Sequence, residues 1–212
     1  MMYQKFFKRL IDIILSACGI VVLIPVWLIL AIAIKIDDPG PVFFRQKRIA
    51  QDKDGQQQFF QIYKYRSMKM CTPRDCPTHL LGNPEQYITK VGGFLRKTSL
   101  DELPQIFNIF SGKMSIIGPR PALWNQDDLY AERAKYGANA VKPGLTGWAQ
   151  INGRDELPID VKAKLDGEYV EKLSFGFDVK CFFGTIVSVL KHDGVVEGGT
   201  GAMEKEKEEV KK

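Results

Sequence analysis

Two adjacent carboxylates, Asp101 and Glu102, follow two cations in the run Arg96-Lys97-Thr98-Ser99-Leu100-Asp101-Glu102-Leu103-Pro104-Gln105. A carboxylate can attack phosphorus to give an acyl phosphate, splitting one difficult transfer into two easier steps. Mg²⁺ suits such a site, since it screens repulsion between a carboxylate and a diphosphate and stabilises the leaving group. Glycosidase chemistry fits poorly. It needs carboxylates facing each other across a cleft, whereas neighbours in a helix diverge by about 100°. Ser99 and Glu102 have the S-x-x-E spacing of a capping box, which predicts a helix beginning near Leu100. Both acids then lie in a first turn, where free N–H groups and the helix dipole stabilise negative charge and can also receive a phosphate. Taken alone, such a pair is equally ordinary helix-dipole decoration.

Other residues point to phosphate handling. Gly118-Pro119-Arg120-Pro121 sets an arginine in a rigid turn, either to bind a phosphate with its planar fork or simply as an exposed surface residue. Pro143-Gly144-Leu145-Thr146-Gly147 offers backbone N–H groups for an anion, but lacks the spacing of a Walker loop or dinucleotide fingerprint. Trp148, Gln150, Asn152 and Arg154 have the chemistry to stack on and hydrogen-bond a base or sugar; Trp148 serves equally well as core.

The elements that must position these groups read as α+β, mostly helical with a small β-hairpin. Strand-like segments at 42–49 and 58–68 flank a turn at 52–55, with apolar and polar residues alternating through 60–66. Residues 70–84 read as a loop and 85–94 as a short helix or turn. The Asp-Glu helix runs to about residue 110, with Leu103, Ile106, Phe107 and Phe110 on one face, and Pro104 loosening its start. A short apolar strand or turn at 114–121 precedes an amphipathic helix at 124–136, a glycine-rich loop at 142–154, and helices at 159–173 and 177–190. In the last of these, Phe182, Phe183, Ile186, Val187 and Leu190 would bury or meet lipid. No internal repeat is present. The glycine-rich stretch from 198 and its alternating Glu and Lys read as disordered.

At 212 residues, with 45% hydrophobic and 26% charged, the chain can bury one sizeable core. Its formal charge of +5 suits an anionic membrane or phosphate-bearing substrates, and is too mild to argue for nucleic acid. Cys18, Cys71, Cys76 and Cys181 read as free thiols in a reducing compartment. Cys71-x4-Cys76 with His79 lacks an apparent fourth metal ligand.

Residues 13–34 form a run of 22 without a charge, about 33 Å as a straight helix and enough to span a bilayer. The run is too long for a signal-peptide core, and no small-residue cleavage site follows. Basic residues flank both ends, and Pro25 sits near the middle. A bent segment that enters and leaves by one face and an ordinary kinked span both fit. Tyr3, Phe6 and Phe7 read as interfacial anchors, and Lys5, Lys8 and Arg9 as headgroup partners.

Taken together, the ordered motifs are specific: Lys8-Arg9-x-x-Asp12; Asp38-Pro-Gly-Pro-Val-Phe-Phe44-x-Gln46-x-Arg48; Phe60-x-Ile-Tyr-Lys64-x-Arg66-Ser-Met68; Thr98-Ser-Leu-Asp-Glu-Leu-Pro-Gln105; Ser115-Ile-Ile-Gly-Pro-Arg-Pro121; and Lys142-Pro-Gly-Leu-Thr-Gly-Trp-Ala-Gln-x-Asn-Gly-Arg154. From about Lys8 to Asp193 the sequence resembles the small monotopic phosphoglycosyl transferases of the bacterial sugar transferase family. It is similar to the short members, without the extra spans or large N-terminal region of the long ones.

The resemblance implies ping-pong transfer of a phosphosugar from a UDP-sugar to polyprenyl (undecaprenyl) phosphate. Asp101 would be the nucleophile on the β-phosphate, releasing UMP, and Glu102 would help hold Mg²⁺ or position the phosphates. Arg96, Arg120 and Arg154 would bind phosphates or the nucleotide, with Gln150 beside them; Lys8 and Arg9 would sit near the lipid phosphate. Asp166, in Leu165-Asp166-x-x-Tyr169, resembles a family acid near the site. Also implied are a re-entrant anchor over 1–36 and a cytoplasmic catalytic domain over 37–193; the residues beyond, 194–212, read as a charged, disordered tail. The anchor would lie in the bacterial inner membrane, with membrane lipids and downstream glycosyltransferases as partners in glycoconjugate assembly such as lipopolysaccharide or capsule. The family often has Ser-Pro at the membrane break, whereas this chain has Ile24-Pro25, so the serine's bond to freed backbone is missing. Candidate donors are N-acetylated or deoxy-amino UDP-sugars. Two other readings use the same acids and anion pockets: a nucleotide-sugar pyrophosphatase that delivers to water, and a catalytically silent membrane scaffold.

Overall fold

A computed structural model describes residues 3–72, 84–153 and 157–191 of the chain. A π-helical turn at Tyr3–Phe7 leads into helix α1 (Lys8–Val22), and helix α2 (Ile24–Asp37) follows after the single residue Leu23. The two helices are bent by 61° at this break. The break thus falls one residue before Ile24-Pro25. Pro25 sits in the first turn of α2, where its missing N–H costs no intrahelical bond, so it starts the second helix rather than kinking one long helix.

Helix α1 carries its polar residues inward. Asp12 and Ser16 are 3% and 1% exposed, whereas Ile14, Leu15, Val21 and Val22 face outward. The Asp12 carboxylate accepts hydrogen bonds from Ser115 Oγ and the Ile116 N–H, at 3.1 and 2.9 Å. Helix α2 buries Leu30 and Ile34 against Tyr65 and Leu95, and leaves Leu28, Ile29, Ile32 and Ile36 exposed. Among the described residues no single helix is long and apolar enough to cross a membrane, but α1 and α2 meet that test of length and composition together.

Strands β1 (Phe43–Ile49) and β2 (Phe59–Tyr65) form the expected antiparallel hairpin. Phe44 pairs with Lys64, Gln46 with Ile62 and Arg48 with Phe60. Opposed residues share a face, so Arg48, Ile62 and Lys64 all point to the same side of the hairpin. Helix α3 (Lys90–Lys97) begins at Thr89, whose hydroxyl accepts the Gly92 N–H at 2.9 Å. Helix α4 (Gln105–Phe110) packs against α1, where a side chain on Gly19 would meet Ile106 at 2.5 Å.

A second strand pair lies where the sequence suggested a short strand and a loop. Strands β3 (Ser115–Ile117) and β4 (Gly144–Thr146) run parallel, with Ser115 opposite Gly144 and Ile117 opposite Thr146. The glycines allow backbone to touch backbone: a Cβ on Gly144 would lie 2.1 Å from the Gly118 nitrogen, and one on Gly147 would lie 2.2 Å from the Gly118 oxygen. The Gly144 N–H donates to the Pro119 carbonyl at 2.8 Å, so it is spent on the fold rather than left for an anion.

Helices α5 (Asp127–Ala134), α6 (Trp148–Ile151), α7 (Ile159–Glu171) and α8 (Phe175–Lys191) complete the domain. Helix α5 packs on α7 around Leu129 and Ala163. Ile117, Tyr169 and Cys181 form a core with Trp148 and Phe177 packed on it. Phe182, Phe183, Ile186 and Val187 of α8 are exposed. The α+β reading, mostly helical with a small hairpin, is borne out.

Candidate active site

Asp101 and Glu102 do not lie in the first turn of an α-helix. Leu100–Glu102 is a 3₁₀ turn, and Ser99 adopts a left-handed conformation (φ 57°) with its side chain capping nothing. The reason is Pro104. Without an N–H it cannot bond back to the Leu100 carbonyl, so α4 starts only after it. Side chains from three other parts of the chain, rather than a helix dipole, meet the two negative charges.

Glu102 is gripped on both oxygens. Its Oε1 lies 2.8 Å from an Arg120 amino group and 2.7 Å from Lys64 Nζ, and its Oε2 accepts the other Arg120 amino group at 3.3 Å. Burial works to raise its pKa, but the charges and hydrogen bonds of Arg120 and Lys64 prevail and hold the carboxyl well below the usual range. Asp101 differs. It is 9% exposed, and its Oδ2 lies 3.9 Å from Lys64 Nζ, beyond hydrogen-bonding reach. Burial raises its pKa and the Glu102 charge adds to the rise, against Lys64, Arg96 and Arg120. The environments of two adjacent carboxylates push them in opposite directions. Glu102 is tied by hydrogen bonds to Arg120 and Lys64, while Asp101 meets Lys64 at the longer distance of 3.9 Å.

A recess at Glu102 is lined by Arg48, Ile62, Lys64, Glu102, Gln105, Arg120 and Pro121; Asp101 is the neighbour of Glu102 in the chain and is not itself among the lining residues. Arg48, Lys64 and Arg120 supply positive charge, and the hairpin face described above delivers the first two. Arg48 also donates to the Pro121 carbonyl at 3.1 Å, tying the hairpin to the Arg120 loop. Among the described residues no cluster of three or more His, Cys, Asp or Glu could hold a metal. Asp101 and Glu102 nevertheless fit Mg²⁺, which takes one or two carboxylates and leaves its other positions to water and substrate phosphates. Asp101 is the better donor, because Glu102 would have to give up a cation.

The structure brings Asp101, Glu102 and Arg120 together, and places Arg96 where its charge acts on Asp101 while its Nε donates to Ser67 Oγ at 3.1 Å. Lys8 and Arg9 serve as ties for α1. Lys8 Nζ donates to Asp178 Oδ2 at 2.6 Å, and Arg9 donates to the Ile109 and Phe110 carbonyls at the end of α4, at 2.6 and 2.8 Å. Tyr3 also donates to Asp178, at 2.6 Å, while Phe6 and Phe7 are exposed. Asp166 is not a substrate ligand here: it is 1% exposed and paired with Arg133, since a buried carboxylate needs a partner. Gln150 is buried in α6, its amide without a hydrogen-bond partner among the described residues, and is not among the residues lining the recess. Trp148 packs against Phe177, ring centroids 5.0 Å apart, and its indole N–H donates to Glu168 at 3.2 Å, so it is core rather than a stacking platform. Arg154, Cys76 and His79 lie outside the described residues, as does the expected 194–212 tail.

Sequence reasoning gave no role to Lys64, Arg48 or Gln105. The alternation of strand β2 marked Lys64 as one of two faces, but only the hairpin register shows which face meets Asp101.

The bacterial sugar transferase family model matches residues 3–192, and the chain belongs to that family. It is 40% identical over 190 residues to the UDP-glucose:undecaprenyl-phosphate glucose-1-phosphate transferase of Escherichia coli (strain K12), an alignment covering 86% of this chain and 40% of that relative. The uncharacterized sugar transferase EpsL of Bacillus subtilis (strain 168) is 39% identical over 192 residues, with 89% of each chain covered. The exopolysaccharide production protein PSS of Rhizobium leguminosarum bv. phaseoli is 35% identical over 195 residues, covering 86% of this chain and 94% of that one. The chain therefore spans about two fifths of the E. coli relative and nearly all of the other two.

Proposed function

We propose that this protein transfers a phosphosugar from a UDP-sugar to polyprenyl phosphate, through a covalent intermediate on Asp101. The observation that carries the reading is the contrast between the two carboxylates: Glu102 is hydrogen-bonded by Arg120 and Lys64, whereas Asp101 is buried beside them with Lys64 at the longer distance of 3.9 Å. In the first step an Asp101 oxygen attacks the β-phosphorus. The bond from that phosphorus to the bridging oxygen breaks, and UMP leaves with its electron pair. In the second step a phosphate oxygen of the polyprenyl phosphate attacks the same phosphorus, and the Asp101 carboxylate departs unchanged.

Lys64 and Arg120, fixed by Glu102, offer positive charge to the diphosphate as charge builds on the leaving UMP. Asp101, with Glu102 beside it, would hold Mg²⁺, whose chemistry when bound is to neutralise the diphosphate and stabilise the leaving group. Burial keeps Asp101 away from bulk water, which favours delivery to lipid over hydrolysis.

Helices α1 and α2 form a re-entrant anchor in this reading. Their outward side chains are apolar, the polar face of α1 is buried in the protein, and the pair is broken by a 61° bend, which a re-entrant path needs. The site then faces the cytoplasm at the inner membrane.

Product analysis tests the proposal. Purified protein in lipid nanodiscs is given Mg²⁺, polyprenyl phosphate and a donor panel of UDP-glucose, UDP-galactose and N-acetylated UDP-sugars. The expected products are UMP and a lipid-diphosphate sugar. Free sugar phosphate instead would make it a hydrolase, and no turnover of any donor would favour a silent scaffold.

A further inference from the structure

Behind the recess, Arg133 of α5 and Asp166 of α7 form an ion pair sealed from solvent. The Arg133 Nε and one amino nitrogen lie 2.8 and 2.6 Å from Asp166 Oδ2, with side chains 6% and 1% exposed. Neither lines the recess. A buried ion pair is a weak source of stability, since apolar residues of similar volume often do as well or better. Its retention calls for another reason, and the second bond of Arg133 supplies one. The same amino nitrogen donates to the backbone carbonyl of Arg120 at 3.0 Å. At the far end of that residue, the Arg120 guanidinium holds both oxygens of Glu102. Pro119 and Pro121 restrict the backbone on either side. An unbroken chain of contacts thus runs from Asp166 through Arg133 and the Arg120 backbone to the acid pair. One amino group of Arg133 thus meets both Asp166 and the Arg120 carbonyl, while its Nε adds a second bond to Asp166.

We propose that Arg133 and Asp166 are positioning residues for the transfer reaction, fixing the Arg120 backbone so that its guanidinium is pre-aimed at Glu102 and the donor phosphates. The inference rests on the transferase reading. Neither residue touches substrate; both act through Arg120, and Asp166 acts through Arg133.

The paired replacement Arg133→Met with Asp166→Leu removes the tether without leaving a lone buried charge. The thermal melt is expected to stay cooperative, with the donor KM raised about tenfold and kcat changed less, in keeping with loss of one charge-assisted contact. In an Arg120→Ala background the same replacement is expected to shift KM by less than about twofold, because the residue it positions is gone. Equal KM effects in both backgrounds, or none in either, would overturn the proposal. If the paired variant does not fold, Arg133→Leu with Asp166→Asn, which also removes the donor to Arg120 without leaving a lone buried charge, carries the same comparison. A donor-free readout runs alongside: amide exchange at Arg120 and Ala122 is expected to quicken in the paired variant. Unchanged exchange would overturn the positioning role even if no donor in the panel were turned over, which keeps its failure distinct from failure of the transferase reading.

Discussion

Lys64 Nζ lies 2.7 Å from Glu102 Oε1 and 3.9 Å from Asp101 Oδ2, so a single strand residue serves both acids of the turn. With Lys64 removed, two neighbouring carboxylates would face each other with less compensation. Lys64→Met is expected to lower kcat/KM by about a hundred- to thousandfold, in the range of one lost electrostatic contact at a reacting centre. It should also move the acidic limb of the pH–rate profile to higher pH. Steady-state UMP release across pH measures both; an unshifted limb with unchanged rate would remove Lys64 from the account.

The pH dependence of the metal-free protein has a defined sign. Burial with the Glu102 charge raises the Asp101 pKa. A raised carboxyl keeps its proton to higher pH, so without Mg²⁺ Asp101 is expected to titrate above the ordinary aspartate value of about 4. Glu102, held low by Arg120 and Lys64, stays charged across that window. Mg²⁺ held by Asp101 would move its titration down, since a nearby cation favours the carboxylate. Carboxyl NMR titration without and with Mg²⁺ measures both, and a metal-free titration below the ordinary value would contradict the raised Asp101.

Gly144→Ala is predicted to destabilise the fold by about 3 kcal/mol or more, because its Cβ would meet Gly118 backbone at 2.1 Å and neither strand can yield alone. Thermal denaturation with and without the substitution measures this. An unchanged melting temperature would mean that the β3–β4 contact is looser than described. Gly137→Ala is a useful contrast, since a Cβ there meets nothing within 4 Å and only its φ of +67° carries strain.

The hairpin, the long helices and the break near Pro25 were all legible from the sequence, because periodicity and proline chemistry are local. The parallel β3–β4 pair was not. Each strand is three residues long, too short for a period, and its only trace was the glycines, which looked like an anion loop. The S-x-x-E spacing around Ser99 misled for a related reason: a local cap signal gave way to Pro104. Asp101, Glu102 and Arg120 were found from residue type and motif. The true surroundings of Asp166 depended on Arg133, 33 residues away, and no local pattern links them.

Topology offers a separate prediction. If α1 and α2 form a re-entrant hairpin, cysteines introduced at Gln4 and Asp38 should both label from the cytoplasmic side of inverted vesicles, in a background with Cys18, Cys71, Cys76 and Cys181 replaced by serine. Labelling of one only from the opposite side would establish a transmembrane span.

The central claim is the covalent role of Asp101, and intact-protein mass spectrometry tests it most directly. Detergent-solubilised protein with Mg²⁺ and each UDP-sugar, without polyprenyl phosphate, is expected to gain the mass of one phosphosugar with matching UMP release. Asp101→Asn should give neither, while remaining folded. Lipid-linked product formed by the native protein with no adduct at any time, or an adduct that persists in Asp101→Asn, would contradict the account.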